Sequence, residues 1–261
     1  TSTTIHIFAE TMKRAYADRS KYLGDPDFSP IPVSELTSKQ YAQLIKEQMN
    51  MQRATPSNEI LPGDVIHDEG ANTTHFSVMD SEGNAVSNTY TLNFSYGSKI
   101  TVPGTGILLN NEMDDFSAKP GSPNAYGLVG GTLNAIAPEK RMLSSMSPTI
   151  VMKDGSPFLI TGSPGGSRII TTVLQIIVNV IDFNMNISEA TNAVRIHHQW
   201  LPDVLNVETG LNEDTINLLR KMGYRVEIRR TIGVAESIMK DEGFMYGASD
   251  PRRSGGLTEG Y

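Results

Sequence analysis

Asn72-Thr73-Thr74-His75-Phe76-Ser77-Val78-Met79-Asp80 passes from a polar pair into strand-like alternation and stops at Ser81-Glu82-Gly83-Asn84. A second strand-like run, Ala85 to Leu92, follows at once. Two alternating runs around a polar, Gly-bearing turn specify a β-hairpin, here with hydroxyl-bearing residues at its mouth. An ordinary Thr side chain is a poor nucleophile, because its hydroxyl stays protonated at neutral pH. If the peptide bond before it is cut, the freed α-amine lies within reach and can serve as the general base. Asn72–Thr73 is therefore the bond of interest. Thr is also a β-favouring residue, so on local grounds alone a half-buried sheet position is the simpler account of it.

On the N-terminal side, Gln52 to Asn72 is polar and carries Pro56, Pro62, Gly63 and Gly70. A loop of that length in a compact chain is expected to be functional, disordered or cut, and this one ends directly at Thr73. Thr37-Ser38-Lys39-Gln40 reads as a helix cap, opening a helix with Tyr41, Leu44, Ile45 and Met49 turned inward. Before it, Ile5, Phe8, Ala9, Met12, Ala15, Tyr16, Arg19, Tyr22 and Leu23 keep helical spacing up to a turn at Gly24-Asp25-Pro26-Asp27. Asp18, Arg19 and Asp25 are read there as solvated helix-end charges that pair with one another. Thr1 opens straight into that periodicity, so an upstream segment is expected.

On the C-terminal side, Asn93 to Gly106 is loop-like and Ile107-Leu108-Leu109 is a short buried strand. The polar run Asn110 to Phe116 follows. Lys119 to Gly131, rich in Gly and Pro around Tyr126, is expected to form a mobile surface loop and to act as a lid. Thr149–Lys153 and Pro157–Thr161 make a second hairpin about Asp154-Gly155. Gly162-Ser163-Pro164-Gly165-Gly166-Ser167 then feeds an apolar helix from Arg168 to about Phe183. Several backbone N–H groups point at one spot at such a helix start, and the helix dipole adds positive potential. That turn is either an anion or oxyanion site or a tight strand-to-helix connection. It lacks the Lys-Ser/Thr of a phosphate loop and the pattern of a serine elbow. Helices over Ser188–Arg195 and Asn212–Met222 and strands over Tyr224–Ile228, Glu236–Met239 and Phe244–Gly247 complete the chain. His197, His198 and Trp200 are read as packing residues, since adjacent side chains diverge on regular structure.

With 261 residues, 38% hydrophobic and 20% charged, the chain is globular and large enough to bury a sizeable core. A net charge of −7 argues against a nucleic-acid surface. The absence of Cys excludes disulfides, thiol nucleophiles and cysteine metal sites. The longest apolar run, Val173 to Ile181, is broken by Gln175 and Asn179 and is too short to span a bilayer. The element order implies an α+β layered sandwich with helices over a mostly antiparallel sheet.

Several motifs in order carry a resemblance. They are Tyr16-Ala17-Asp18-Arg19 with Gly24-Asp25-Pro26-Asp27-Phe28; Thr73-Thr74-His75-Phe76-Ser77-Val78; Leu108 to Ser117 (LLNNEMDDFS); Ser144-Ser145-Met146-Ser147-Pro148-Thr149; Thr161 to Arg168 (TGSPGGSR); and Tyr246 to Arg252 (YGASDPR). Together they resemble the γ-glutamyltransferase (γ-glutamyltranspeptidase) family of N-terminal-nucleophile hydrolases along the whole chain.

The resemblance implies an α+β, four-layer αββα sandwich and a precursor that cleaves itself at Asn72–Thr73. Residues 1–72 are then the C-terminal portion of a large subunit, ending in a flexible processing tail, and 73–261 the small, catalytic subunit. It implies Thr73 as nucleophile, Thr91 as a second hydroxyl that positions it, and the N–H groups of Gly165 and Gly166 as oxyanion donors. Asn93, Glu112 and Asp115 resemble the holders of a substrate α-ammonium, and Ser144 and Ser145 the α-carboxylate contacts. Tyr126 resembles the lid residue over bound substrate, and His75 is left as structural. The family's α-carboxylate-binding Arg belongs to the large-subunit portion outside this chain. The implied reaction is attack on the γ-glutamyl amide of glutathione and release of the acyl group to water, an amino acid or a peptide. No cofactor and no metal are implied. The implied partners are the small-molecule substrate and the remainder of the large subunit in a heterodimer, with a periplasmic or extracellular location. Two other readings stay open: a related acylase (a cephalosporin acylase or a poly-γ-glutamate-processing member), and an unprocessed fragment acting as a structural domain.

Overall fold

A computed structural model of the chain describes residues 1–60 and 73–260. Asn72, the carbonyl side of the expected scissile bond, lies outside the described residues. The helices are α1 (Ser2–Tyr22), α2 (Val33–Leu36), α3 (Lys39–Gln48), α4 (Ser57–Ile60), α5 (Arg168–Ile181), α6 (Ile187–Asn192) and α7 (Glu213–Lys221). The strands are β1 (Thr73–Met79), β2 (Ala85–Thr91), β3 (Thr149–Lys153), β4 (Ser156–Thr161), β5 (Ile196–His197), β6 (Leu205–Glu208), β7 (Val226–Arg229), β8 (Glu236–Asp241) and β9 (Phe244–Ser249). Among the described residues no helix is long and apolar enough to cross a membrane, and no cluster of three metal-binding side chains occurs.

The chain divides into two compact units. The first takes Thr1–Glu69 (described to Ile60), Glu112–Ser144 and Ile196–Arg229. Its three-stranded sheet has the order β5-β6-β7, with β6 and β7 parallel. α1 starts at Thr1, whose hydroxyl accepts the Thr4 N–H, and buries Ala9, Met12 and Tyr16 beside α7 and β5. The same face also buries His6, Glu10, Lys13 and Arg14. This unit combines sequence from both sides of Thr73, and α1 covers its buried face with residues 196–229.

The second unit takes residues 73–111 of the described chain together with Ser145–Arg195 and residues 230–260. β1 and β2 form the expected hairpin, with Thr73 opposite Thr91 and Met79 opposite Ala85. A four-stranded antiparallel sheet has the order β3-β4-β8-β9. On one side of it α5 and α6 pack a core of Leu159, Ile176, Val180, Ile187, Ala190, Ala235, Met239 and Ala248. On the other side lies the β1–β2 hairpin, fastened by Ser77 Oγ donating to Glu236 O (2.9 Å) and Ser87 Oγ to Thr161 O (3.0 Å). The hairpin's alternation is inverted. Thr73, His75 and Ser77 turn inward, whereas Phe76, Val78, Val86 and Tyr90 are exposed.

Four expectations need correction. α3 forms behind its Ser38 cap, but it fully buries no residue: Leu44 is 54% exposed, and Tyr41, Ile45 and Met49 are only half-buried. Ile107-Leu108-Leu109 is no buried strand: Leu108 makes one isolated bridge to Thr101, and Ile107 and Leu109 are exposed. The segment around Tyr126 is not a loose surface loop. Asn124 Oδ1 accepts the N–H groups of Tyr126 and Leu128, and Tyr126, Leu128 and Val129 are buried. Finally, Asp18 and Asp25 are not simply solvated helix-end charges. Asp18 accepts from Tyr41 Oη, and Asp25, itself buried, takes Arg141 at 2.6 Å.

Candidate active site

Thr73 opens β1, 6% exposed. Its hydroxyl donates to Thr91 Oγ1 across the hairpin at 3.2 Å, and Thr91 Oγ1 also accepts the Asn93 N–H at 2.9 Å. Asn93 follows the strand at φ 70°, a left-handed turn that Asn tolerates better than most residues. Its side chain donates to Asn111 O, and Asn111 Oδ1 accepts the Phe94 N–H. One chain of polar contacts thus runs from Thr73 through Thr91 to Asn93. The Thr73 carbonyl accepts from Arg253 at 3.5 Å.

Behind the nucleophile candidate sits His75. Its ring contacts Thr89 Oγ1 at 2.7 Å and Ser77 Oγ at 3.1 Å. Burial pushes its pKa down to about 4, so the imidazole is neutral at physiological pH. Gly162 lies flat against this ring; a Cβ there would fall 2.2 Å from a ring carbon. The turn after β4 thereby runs alongside β1. It continues through Gly165 (φ 141°) and Gly166 (φ 56°) into α5, where Arg168 N–H and Ile169 N–H already bond back to their carbonyls. Among the described residues no hydrogen bond is made by the Gly165 or Gly166 N–H, as expected at a helix start. N–H groups left unspent just before the positive end of a 14-residue helix can hold an anion.

The first unit carries the acidic residues. Glu112 and Asp115 lie on one short 3₁₀ turn, Glu112–Asp115. Burial raises the pKa of Glu112, and the neighbouring Asp115 charge and hydrogen bond raise it further, to about 7. Burial likewise raises Asp115, to about 6, against the opposing pull of Arg19. Two carboxyls driven upward together bind a proton or a cation readily. Asn134 Nδ2 donates to the Asp115 carbonyl at 2.7 Å and fixes the turn. Tyr126 is 5% exposed, its carbonyl accepts Gln199 Nε2, and its phenol is pushed above the usual range by burial and then by the Asp115 and Glu112 charges. Ser144 and Ser145 are half-buried in the extended segment before β3, where Ser147 Oγ donates to Ser145 O.

Two residues beside the candidate site were given no place in it by the sequence reading. Arg19 extends from α1 to Leu143 O (3.4 Å) and lines a small cavity with Asp115 and Asn134. The signal was present, since Arg19 falls on the apolar stripe of α1, where an Arg must have a buried partner. Arg253, which reaches Thr73 O, gave no signal, because the contact spans 180 residues.

The solved Helicobacter pylori γ-glutamyltranspeptidase mutant is 59% identical, with TM-score 0.67, covering 69% of this chain and 100% of that one. Cephalosporin acylase from Bacillus halodurans is 27% identical with TM-score 0.83, covering all of this chain and 46% of that one. The class is thus that of the α+β acylase and transpeptidase chains. Glutathione hydrolase proenzyme of Escherichia coli K12 is 58% identical over 258 residues, 98% of this chain and 44% of the relative. The proenzyme of that name from Pseudomonas sp. strain A14 is 47% identical over 98% of this chain and 46% of the relative. The family model for Gamma-glutamyltranspeptidase matches residues 1–259. The chain belongs to the γ-glutamyltranspeptidase family, and it spans under half the length of these curated relatives.

Proposed function

We propose that the chain is the catalytic part of a γ-glutamyltransferase and glutathione hydrolase whose nucleophile is Thr73. The observation that carries this is the buried Thr73 hydroxyl held by Thr91 at the start of β1, in the same unit as the Gly165–Gly166 helix start. Cleavage of Asn72–Thr73 begins with attack of Thr73 Oγ on the Asn72 carbonyl, and water resolves the resulting ester. The new α-amine then takes the Thr73 hydroxyl proton as Oγ adds to the γ-carbonyl carbon of the substrate. The negative oxygen is received by the Gly165 and Gly166 N–H groups; losing one such donor typically costs about 10²–10³ in rate. Collapse expels the amine of the leaving peptide, which carries the proton away. Water or an acceptor amine then releases glutamate or a new γ-glutamyl compound.

Glu112, Asp115 and Asn93 hold the α-ammonium of the substrate, a role suited to two acids and an amide. Ser144 and Ser145 hold the α-carboxylate, and Tyr126 covers the bound group. The exposed apolar face of β1 and β2 supports a four-layer αββα sandwich, since a further layer is needed to cover Phe76, Val78, Val86 and Tyr90. That layer belongs to the remainder of the large subunit, the heterodimer partner. The location is periplasmic or extracellular. No cofactor takes part. The relatives named glutathione hydrolase stand at 58% and 47% identity and the cephalosporin acylase at 27%, which favours a glutathione-like substrate.

The test is glutamate release from glutathione by the full-length polypeptide. Wild type and Thr73→Ser release glutamate and Thr73→Ala does not. Undiminished release by Thr73→Ala overturns the assignment.

A further inference from the structure

We infer that the two chains left by cleavage at Asn72–Thr73 are held together by a buried polar latch on α1 and residues 54–57, gripping Trp200, Asp203, Met222 and Tyr224. The inference rests on the processing proposed above, and its contacts all lie inside the first unit. That unit is made of sequence from both sides of the cut, so something in its interior must hold once the peptide bond is gone.

Glu10 and Lys13 are fully buried and Arg14 nearly so. Glu10 Oε1 lies 2.6 Å from Lys13 Nζ, and Oε2 lies 2.7 Å from Arg14. Burial alone raises a carboxyl, but the hydrogen bonds from Lys13, Thr55 and Arg14 outweigh it and hold Glu10 ionised, with a pKa of about 2. Across the cut, Tyr224 Oη donates to Glu10 Oε1 at 3.0 Å and contacts His6 Nδ1 at 2.7 Å. Lys13 Nζ stands 5.0 Å over the Tyr224 ring. A phenol donating to a buried carboxylate is a charge-assisted bond, stronger than a neutral one.

Residues 54–57 supply the second grip. Ala54 N–H donates to Met222 O (2.7 Å), Ser57 N–H to Asp203 Oδ2 (2.9 Å), and Trp200 Nε1–H to Ser57 O (3.0 Å). Between them, Thr55 N–H goes to Glu10 and Thr55 O takes Lys13 Nζ. The backbone polar groups just ahead of the processing segment are thus taken up by side chains and backbone from both future chains. While the chain is intact these contacts are intramolecular and aided by high effective concentration; after cleavage they stand alone. Being directional and buried, they fix the register of the two chains as well as their association.

The experiment places a site-specific protease sequence within residues 61–72 of the full-length polypeptide. The protein is then severed whether or not it cuts itself. Separation of the two chains in urea is followed by native mass spectrometry. Tyr224→Phe, which keeps the ring and removes the bridging hydroxyl, is expected to separate about tenfold faster than wild type. Glu10→Gln, which leaves Lys13 and Arg14 without a counter-charge, is expected to separate on the order of a hundredfold faster. If Glu10→Gln fails to fold, Tyr224→Phe and Asp203→Asn decide the matter. Severed variants that separate at the wild-type rate overturn the latch. A wild-type chain that never cuts itself overturns the processing reading alone, because the protease-cut protein still reports on the latch.

Discussion

Thr73 and Thr91 stand directly opposite each other in the β1–β2 register, with their hydroxyls 3.2 Å apart. The hairpin geometry alone sets this pair, since directly opposed residues share one face of the sheet. Thr91 Oγ1 accepts from both Thr73 and the Asn93 N–H, so it orients the Thr73 hydroxyl and anchors the loop that follows. Thr91→Val keeps the shape and removes the acceptor. We expect kcat to fall by about 10²-fold with little change in KM, measured on fully processed enzyme. An unchanged kcat contradicts a positioning role.

If Glu112 and Asp115 hold the substrate ammonium as proposed, binding depends on pH. Glu112 is raised to about 7 and Asp115 to about 6, each first by burial. A substrate ammonium needs them ionised, so KM should rise as pH falls from 8 to 6. Stability runs the other way. A carboxyl raised in the folded state contributes fully below its unfolded value of 4.5, and that contribution is lost as pH rises through about 7. Glu112→Gln should therefore gain thermal stability relative to wild type at pH 8 but not at pH 4, while its KM rises about tenfold or more. Equal Tm differences at both pH values would refute the burial argument.

Arg19 opposes the upward shift of Asp115. Arg19→Met removes that pull, so Asp115 holds its proton to higher pH. The expected result at neutral pH is a KM about tenfold higher, recovering as pH is raised, with kcat changed far less. A KM defect that does not respond to pH would assign Arg19 to packing only.

Gly162 lies against the His75 ring so closely that a Cβ would come within 2.2 Å of it. Gly162→Ala is expected to cost about 1–3 kcal/mol of stability through overpacking. Combined with His75→Ala, which empties the space, the cost should shrink, because contacting sites are not additive. Strictly additive Tm changes would show that the ring is not what Gly162 accommodates.

The hairpin, the Gly-rich turn and the helix after it were legible because their signals are local: alternation, a turn sequence, a glycine run before an apolar helix. The family was legible through ordered motifs, and the candidate site residues follow from that resemblance. The interior of α1 was not. No local pattern marks Glu10, Lys13 and Arg14 as interior, and their burial depends on Thr55, 45 residues from Glu10, and Tyr224, 214 residues from it. The inverted alternation of β1 was equally hidden, because hydroxyls and a His inside a sheet are stable only when Thr89, Thr161 and Glu236 supply partners. α3 misled for the opposite reason: its apolar face is real, but among the described residues it is only partly covered.

The central claim is that Thr73 becomes an N-terminal nucleophile. N-terminal sequencing and intact mass of the purified full-length protein test it most directly. The account predicts a chain beginning Thr73-Thr74-His75-Phe76 in wild type and its absence in Thr73→Ala. An intact bond before Thr73 in a wild-type preparation that hydrolyses glutathione at full rate would contradict it.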